Sequence, residues 1–340
     1  MAFPAMISAK ALGAMPQFVL EVAGEKRLAK ALDAADLPFQ FIDERSGYIS
    51  EHSLATFMQE SARAAGQQNI GLLWAPFLTV ADYGVWGQYV LTAPNLHAAL
   101  TRASSVMPFH SSTDRAWLET QGDTSRYLYA FGLQSHEAYA DIGFSAIGVF
   151  LSIFRAYLGP SWSPSAVLLD FPKVPSAQDT EDTFQCPVIW NATQLGVVFH
   201  SSCLSVPANH PASNSIPTTV QDIARERLGG PPKTFRDQVA EITRLQLSSH
   251  EVSIETVARS VDLGVRTLQR KLETEGTRFR DIVNEVCIER AAELLALRSE
   301  TISGIATALG YETANNFSRA FKNARGMSPT EFRKSQDVRS

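Results

Sequence analysis

The pattern of apolar and polar positions changes character along this chain, and its most regular stretch is residues 254–333. There Ile254, Val257 and Val261, and again Ile302, Ile305 and Leu309, recur at the spacing of a helix with one buried face. Each short helix runs into a glycine, Gly264 or Gly310, which is expected to supply the positive φ of a tight turn. Ala258 and Ala306 occupy equivalent places, where a small side chain lets two helices cross closely. A second helix follows each turn, with an inner face of Val265, Leu268 and Leu272 in one and of Phe317 and Phe321 in the other. The pattern therefore predicts two helix-turn-helix units. A long helix over 279–297 joins them and turns Ile282, Val283, Val286, Ala291, Leu294 and Leu295 toward both. Residues 235–246 read as the helix that opens this all-α carboxy-terminal domain.

The amino-terminal part is less uniform. Helices are predicted over Ile7 to Leu20 and over Glu25 to Ala35, and then over Ser50 to Ala65. The third has Ser50 or Ser53 as its cap, Gly66 as its stop and Leu54, Phe57, Met58 and Ala62 as its buried stripe. Asn69 to Trp74 reads as a turn and short run, and another helix begins near Thr92, capped by Thr92 or Asn95. From Asp114 the period becomes two: strands are expected over 115–119 and 126–134 around a turn at Gln121-Gly122-Asp123, with Tyr127, Tyr129 and Phe131 on one face. A helix over 136–158 and short β runs over 166–170, 187–190 and 196–199 complete an α+β domain. Pro, Ser and Asn between Pro207 and Pro217, a short helix near 218–228 and Gly229-Gly230-Pro231-Pro232 read as linker-like sequence. The expected division is a domain over 1–225, a linker over 226–232 and a second domain over 233–340.

The outer faces of the two second helices carry Arg, Thr, Gln and Asn, a chemistry suited to the DNA major groove. Arg pairs bidentately with guanine and Gln or Asn with adenine, while Thr touches a thymine methyl. A plain helical bundle with a solvated polar face is the bland alternative, and a repeated grammar argues against it. The run Gly310-Tyr-Glu-Thr-Ala-Asn-Asn-Phe-Ser-Arg-Ala-Phe-Lys-Asn-Ala-Arg-Gly-Met-Ser-Pro-Thr-Glu-Phe-Arg333 closely resembles the DNA-binding domain of the AraC/XylS transcription regulators. It carries that family's Gly-aromatic, Phe-x-Arg-x-Phe-Lys, Gly-x-x-Pro and Phe-Arg elements in order and spacing. Three upstream segments are similar to the sensor domain of one branch of the family, called arabinose-binding-like: Tyr83 to Leu100, Trp162-Ser-Pro with the strand at 166–170, and Cys186 to Ala192. The resemblance implies a one-component regulator that binds double-stranded operator DNA, a small-molecule effector and RNA polymerase, acting as an activator and a homodimer.

Composition bounds this reading. At 340 residues the chain accommodates two domains, and 45% hydrophobic with 19% charged residues describes a globular protein, not a disordered one. The net charge of −5 argues against a nucleic-acid partner until it is divided. From Pro231 on there are 17 Lys and Arg against 15 Asp and Glu, a net of +2, whereas residues 1–230 hold 13 against 20, a net of −7. DNA binding then depends on where the arginines point. Cys186, Cys203 and Cys287 form no CxxC pair and suit a reducing cytoplasm; Cys186 and Cys203 either face each other on neighbouring strands or are inert buried thiols. No secretion signal opens the chain, and Phe144 to Leu158 is too short to span a bilayer, so a core helix and no membrane partner are expected.

For the first reading helix the candidates are Arg266, Thr267, Gln269 and Arg270, which lie opposite Leu268 and Leu272. In the second, Asn315, Asn316 and Arg319 match the family's base-facing positions. Lys271, Arg278, Lys322 and Arg325 are expected phosphate contacts, while Thr301, Ser303 and Thr313 either cap helices or donate to phosphates. Trp74, Tyr83, Trp86 and Tyr89, with Tyr127, Tyr129 and Phe131 as a second wall, are candidates for an effector pocket, though aromatics at such spacing also serve as ordinary core. No cofactor or metal is expected, because the seven His are scattered and no HExxH, GxSxG or GxGxxG pattern occurs. An enzyme therefore lacks its constellation. An effector-independent architectural DNA-binding protein is the other alternative, and the large acidic amino-terminal domain weighs against it.

Overall fold

The computed structural model describes residues 3–134, 136–175, 177–208, 217–247, 252–297 and 300–336. Residues 209–216, within the expected linker run, lie outside them. The chain forms two compact units that meet in sequence at Pro231 and Pro232.

The amino-terminal unit is α+β. It opens with β1 (Met6–Ser8), a 3-10 turn over Ala9–Leu12, α1 (Met15–Ala23) and α2 (Glu25–Ala34). A single helix over 7–20 is thus corrected. Residues 6–8 pair antiparallel with β2 (Tyr48–Ser50), a long-range partner that local periodicity cannot reveal. Ser50 caps α3 (Glu51–Ala65) by accepting from the Ser53 N–H, and Gly66 closes it in the left-handed region, so of the two serines Ser50 is the cap. Asn69 to Trp74 is not an extended run: Ile70–Trp74 is a short helix, α4. It is followed by α5 (Val85–Leu91) and by α6 (Leu96–Val106), which Asn95, not Thr92, caps.

A five-stranded sheet follows, built from β3 (Arg115–Gln121), β4 (Thr124–Ala130), β5 (Ala166–Leu168), β6 (Val188–Ile189) and β7 (Leu195–His200) in the order β3-β4-β7-β5-β6. All neighbours are antiparallel except β5 and β6. The strand expected to reach residue 134 ends at Ala130, and the one expected to reach 170 ends at Leu168. Between strands the chain forms α7 (Tyr139–Leu158) and α8 (Ala177–Phe184), and α9 (Val220–Glu226) comes last. With 20 residues α7 is long and apolar enough to span a bilayer, contrary to the shorter stretch expected from Phe144, but 72% of its most apolar window is buried inside the fold. It is the core helix of this unit. Phe150 meets the rings of Tyr127 and Tyr129 edge-on at 5.3 and 5.1 Å, and Phe154 meets Phe199 at 4.8 Å, tying α7 to the sheet. On the other side α4 approaches so closely that a Cβ on Gly71 would stand 2.0 Å from the Asp141 carbonyl oxygen, and one on Gly148 would stand 2.4 Å from that of Ala75.

The carboxy-terminal unit is entirely helical: α10 (Phe235–Leu247), α11 (Ile254–Ser260), α12 (Val265–Thr274), α13 (Phe279–Leu297), α14 (Ile302–Ala308), α15 (Ala314–Arg325) and α16 (Pro329–Gln336). The two Glu275 carboxylate oxygens accept from the Phe235 and Arg236 N–H groups at 3.1 and 2.8 Å, satisfying the amino end of α10 from beyond α12. Gln246 holds α10 to α11, donating to Ser260 and accepting from Thr256. The central α13 buries Ile282, Val286, Cys287, Ile288, Ala291 and Leu295, while Val283 and Leu294 are only half-buried. Its second half joins Ile305, Ala306, Leu309, Phe317 and Phe321 in one core, with Phe332 of α16 packed against it.

Candidate DNA-reading helices and effector cavity

Both predicted helix-turn-helix units are present, as α11–α12 and α14–α15. In each, the residue three past the first helix returns its N–H to a carbonyl near the helix end: Leu263 to Ala258 at 2.8 Å and Tyr311 to Ala306 at 2.9 Å. These matching bonds set the alignment of the two turns. Gly310 then corresponds to Asp262, not to Gly264. Gly310 has φ +76° and Asp262 φ +52°, whereas Gly264 is extended at φ −74°. The expectation of a left-handed Gly264 is therefore corrected, because the first turn is one residue shorter and Gly264 serves as the N-cap of α12. It offers no side-chain cap, while Thr313, its counterpart on α15, accepts from the Asn316 N–H.

With the helix starts aligned, Arg270 and Arg319 occupy the same position, five residues after Val265 and Ala314. Leu268 and Leu272 of α12 are fully buried, as are Phe317 and Phe321 of α15, so the opposite faces point outward. Arg266, Gln269 and Arg270 are exposed and Thr267 is half-buried. Asn315 and Arg319 are exposed, and Arg319 donates to the Oδ1 of half-buried Asn316 at 3.1 Å. Arg278, Lys322 and Arg325 are exposed, whereas Lys271 is half-buried with its ammonium 5.0 Å from the ring centre of Phe235. Thr301 caps α14 by accepting from the Gly304 N–H. The 19 residues of α13 span roughly 28 Å at 1.5 Å each.

Both units match known protein families. Residues 257–335 match the family described as "Helix-turn-helix domain", and residues 27–208, more than half the chain, match "Arabinose-binding domain of AraC transcription regulator, N-term". The chain belongs to the AraC family of transcription regulators. The ornithine utilization regulator of Pseudomonas aeruginosa is 24% identical over 317 residues, covering 88% of this chain and 89% of that protein. The HTH-type transcriptional regulator VirS of Mycobacterium tuberculosis is 33% identical over 100 residues, and the match spans only 29% of each chain. Among solved structures, the transcriptional regulator CdpR of Pseudomonas aeruginosa is similar over 78% of this chain and 86% of its own, at 20% identity and a TM-score of 0.38.

In this AraC-family chain the arabinose-binding-like unit has a partly open cavity of about 50 Å³ beneath α7. Of the aromatic residues singled out by sequence, Tyr83, Tyr129 and Phe131 line it. Trp74, Trp86, Tyr89 and Tyr127 do not line it: Trp74 meets Phe18 edge-on, Trp86 packs behind Tyr83 and His110 and donates to the Val106 carbonyl, Tyr89 lies under Arg102, and the Tyr127 hydroxyl lies 3.3 Å from that of Ser104. The remaining walls are mainly aliphatic and include Leu54, Met58, Ile142 and Val149. A larger groove of about 250 Å³ lies beside Lys10, Arg45 and Arg227, and most of its lining residues are charged.

Sequence reasoning did not find the polar groups around this cavity. His110 stacks on Tyr83 at 4.9 Å, and its buried Nδ1 has no hydrogen-bond partner. Burial, and next the charge of Arg227, depress its pKa to about 3, so the ring is neutral. Behind Tyr129, whose hydroxyl donates to Asp114 at 2.6 Å, the Glu51 and Asp114 carboxyls share a site with Ser111 and Thr113. Burial raises both carboxyl pKa values, that of Glu51 further through the neighbouring Asp114 charge. Glu51 reads in sequence as an ordinary acidic residue in a helix's first turn, and nothing local marks Asp114 or His110. Among the described residues no His, Cys, Asp and Glu group is arranged to hold a metal, and all three cysteines are free thiols. Burial raises Cys186 to about 11 and pushes Cys203 upward as well.

Proposed function

We propose that this protein is a cytoplasmic, one-component transcription activator in which residues 1–225 bind a small-molecule effector and dimerise, residues 226–232 form the linker, and residues 233–340 bind operator DNA and contact RNA polymerase. The observation that supports it most is the pair of outward faces with arginine at the same helix position, Arg270 and Arg319, held on either side of one continuous helix. Arg266, Thr267, Gln269 and Arg270 read bases in one major groove, and Asn315, Asn316 and Arg319 read them in the next. Lys271, Arg278, Lys322 and Arg325 contact phosphates and set register without specifying sequence. The two faces differ, so one protomer reads an asymmetric site and not a palindrome.

Selection of binding sequences from a random duplex pool by the full-length protein tests this. The expected product is a motif with two dissimilar halves, centred about 10 base pairs apart. A single compact half-site within each motif, or no enrichment, overturns the reading.

A further inference from the structure

Resting on the effector reading above, we propose that the cavity beneath α7 binds a small, uncharged, mainly aliphatic molecule through one hydrogen-bonding head group placed at His110. The walls supply the first part of the case, since Leu54, Met58, Ile142 and Val149 offer hydrocarbon contact and the hydroxyl of Ser145, also in the lining, is already given to the Asp141 carbonyl at 2.9 Å. The second part is the imidazole: His110 is a lining residue whose Nδ1 is buried without a protein partner, so a small turn of the ring toward a ligand hydroxyl or amide would satisfy an otherwise unmet group.

Charge then selects among head groups. His110 is held neutral by burial and offers a carboxylate no cation. The Glu51–Asp114 site is screened from the cavity by the Tyr129 hydroxyl: it repels an anion yet does not line the space where an ammonium could pair with it. On the opposite side Arg227 donates to the Tyr83 carbonyl at 2.9 Å and disfavours a cation. Size limits the molecule as well. A volume near 50 Å³ takes about four water-sized groups, so a butyl compound of about five or six heavy atoms already requires the walls to move slightly. Met15 and Met58, both lining residues, are the flexible side chains suited to that.

The same cavity is tied to the chain that leaves the unit. Tyr83 stacks on His110 through its ring and holds Arg227 through its carbonyl, while Glu226 pairs with Lys10 at 3.3 Å. Occupancy at His110 therefore presses on the stack to which the end of α9 is fastened.

Saturation-transfer NMR on the full-length protein with 1-butanol, butyramide, butylamine and butyrate at equal millimolar concentration tests the site. Signal is expected for butanol and butyramide and not for the charged congeners. Ala146→Leu, which fills the cavity from α7, should abolish it, and His110→Phe, which keeps the ring but removes the nitrogen, should weaken it about tenfold. Equal binding of butylamine or butyrate, or persistence of the butanol signal in Ala146→Leu, overturns the proposal. The wild-type ranking stands even where a variant fails to fold. Mobility shift with the selected operator separates this from the wider reading. Butanol binding without any change in DNA affinity supports the site and sinks its control of DNA binding. DNA affinity that responds to other compounds while butanol never binds overturns the site alone.

Discussion

Asp262 and Gly310 show how much one residue decides. Both stand in the left-handed region at the same point of the same turn, but only glycine does so without crowding its Cβ against the backbone. Gly310→Ala should cost about 1–2 kcal/mol. Gly264→Ala, at an extended position with open space around it, meets no left-handed penalty and should cost at most about 1 kcal/mol, through the poorer N-cap that alanine makes. Hydrogen exchange read by mass spectrometry over 302–325 checks the first, with a loss of protection of about 5–30-fold expected; unchanged protection there would contradict the alignment of the turns. Glu51 gives a second prediction. Its folded pKa is raised from the model-peptide 4.5 to about 8, so the folded state holds a proton the unfolded state has released, and its contribution is full below pH 4.5 and lost as pH rises through 8. Glu51→Gln keeps the shape and removes the titration. Its melting-temperature advantage over wild type should grow from near zero at pH 4.5 to several degrees at pH 8, and a flat difference would rule out a buried proton there. The positive φ of Gly310 was legible in sequence, whereas the roles of Asp262 and Glu51 were not. A glycine in a motif announces a turn but not which of two registers the turn adopts, and a carboxyl's partners lie 60 residues away.

At the scale of elements, α12 and α15 are one design with different lettering. Arg270→Ala should cost about 1–3 kcal/mol and relax base preference in one half of the operator, and Arg319→Ala should do so in the other half. Base-substitution profiles by mobility shift at fixed salt decide it; relaxation of the same positions by both variants would refute two separate reading helices. Replacing Lys271 should weaken binding evenly across sequences and lower the salt slope by about one. Because its ammonium also lies over Phe235, the variant must be compared with wild type by circular dichroism to separate lost charge from lost packing. These helices were legible because a buried stripe at helical spacing is a local signal, and Leu268, Leu272, Phe317 and Phe321 are buried where the pattern puts them. α8 was not: Ala177-Gln-Asp-Thr-Glu-Asp-Thr-Phe184 carries one large apolar side chain and so no stripe. β1 was misread because Met6, Ile7 and Ser8 are all buried, leaving no alternation to identify a strand.

For the whole molecule, the proposed function puts sensing and reading in different units, which makes their coupling a free energy shared between two sites. If an effector changes operator affinity, saturating operator must change effector affinity by the same factor. Calorimetric titration of effector into protein with and without DNA measures this, and equal affinities in the two titrations would show the units to be independent. Light scattering of the full-length chain should find a dimer at micromolar concentration, while residues 233–340 alone should be monomeric; a dimeric fragment would move the dimer contacts into the DNA-binding unit.

What the amino-acid order determined by itself was the class: two helix-turn-helix units around one long helix, an α+β unit before them, and the faces that carry arginine. Those features depend on spacing within a dozen residues, where helix and strand periods impose their own geometry. Tertiary structure alone decided the order β3-β4-β7-β5-β6, the pairing of Met6–Ser8 with Tyr48–Ser50, and the meeting of Tyr83, His110 and Tyr129 around one cavity. Those three residues come from separate segments of the chain, and only the packing of α7 against the sheet and α4 brings them together, burying a neutral imidazole where no local pattern calls for one.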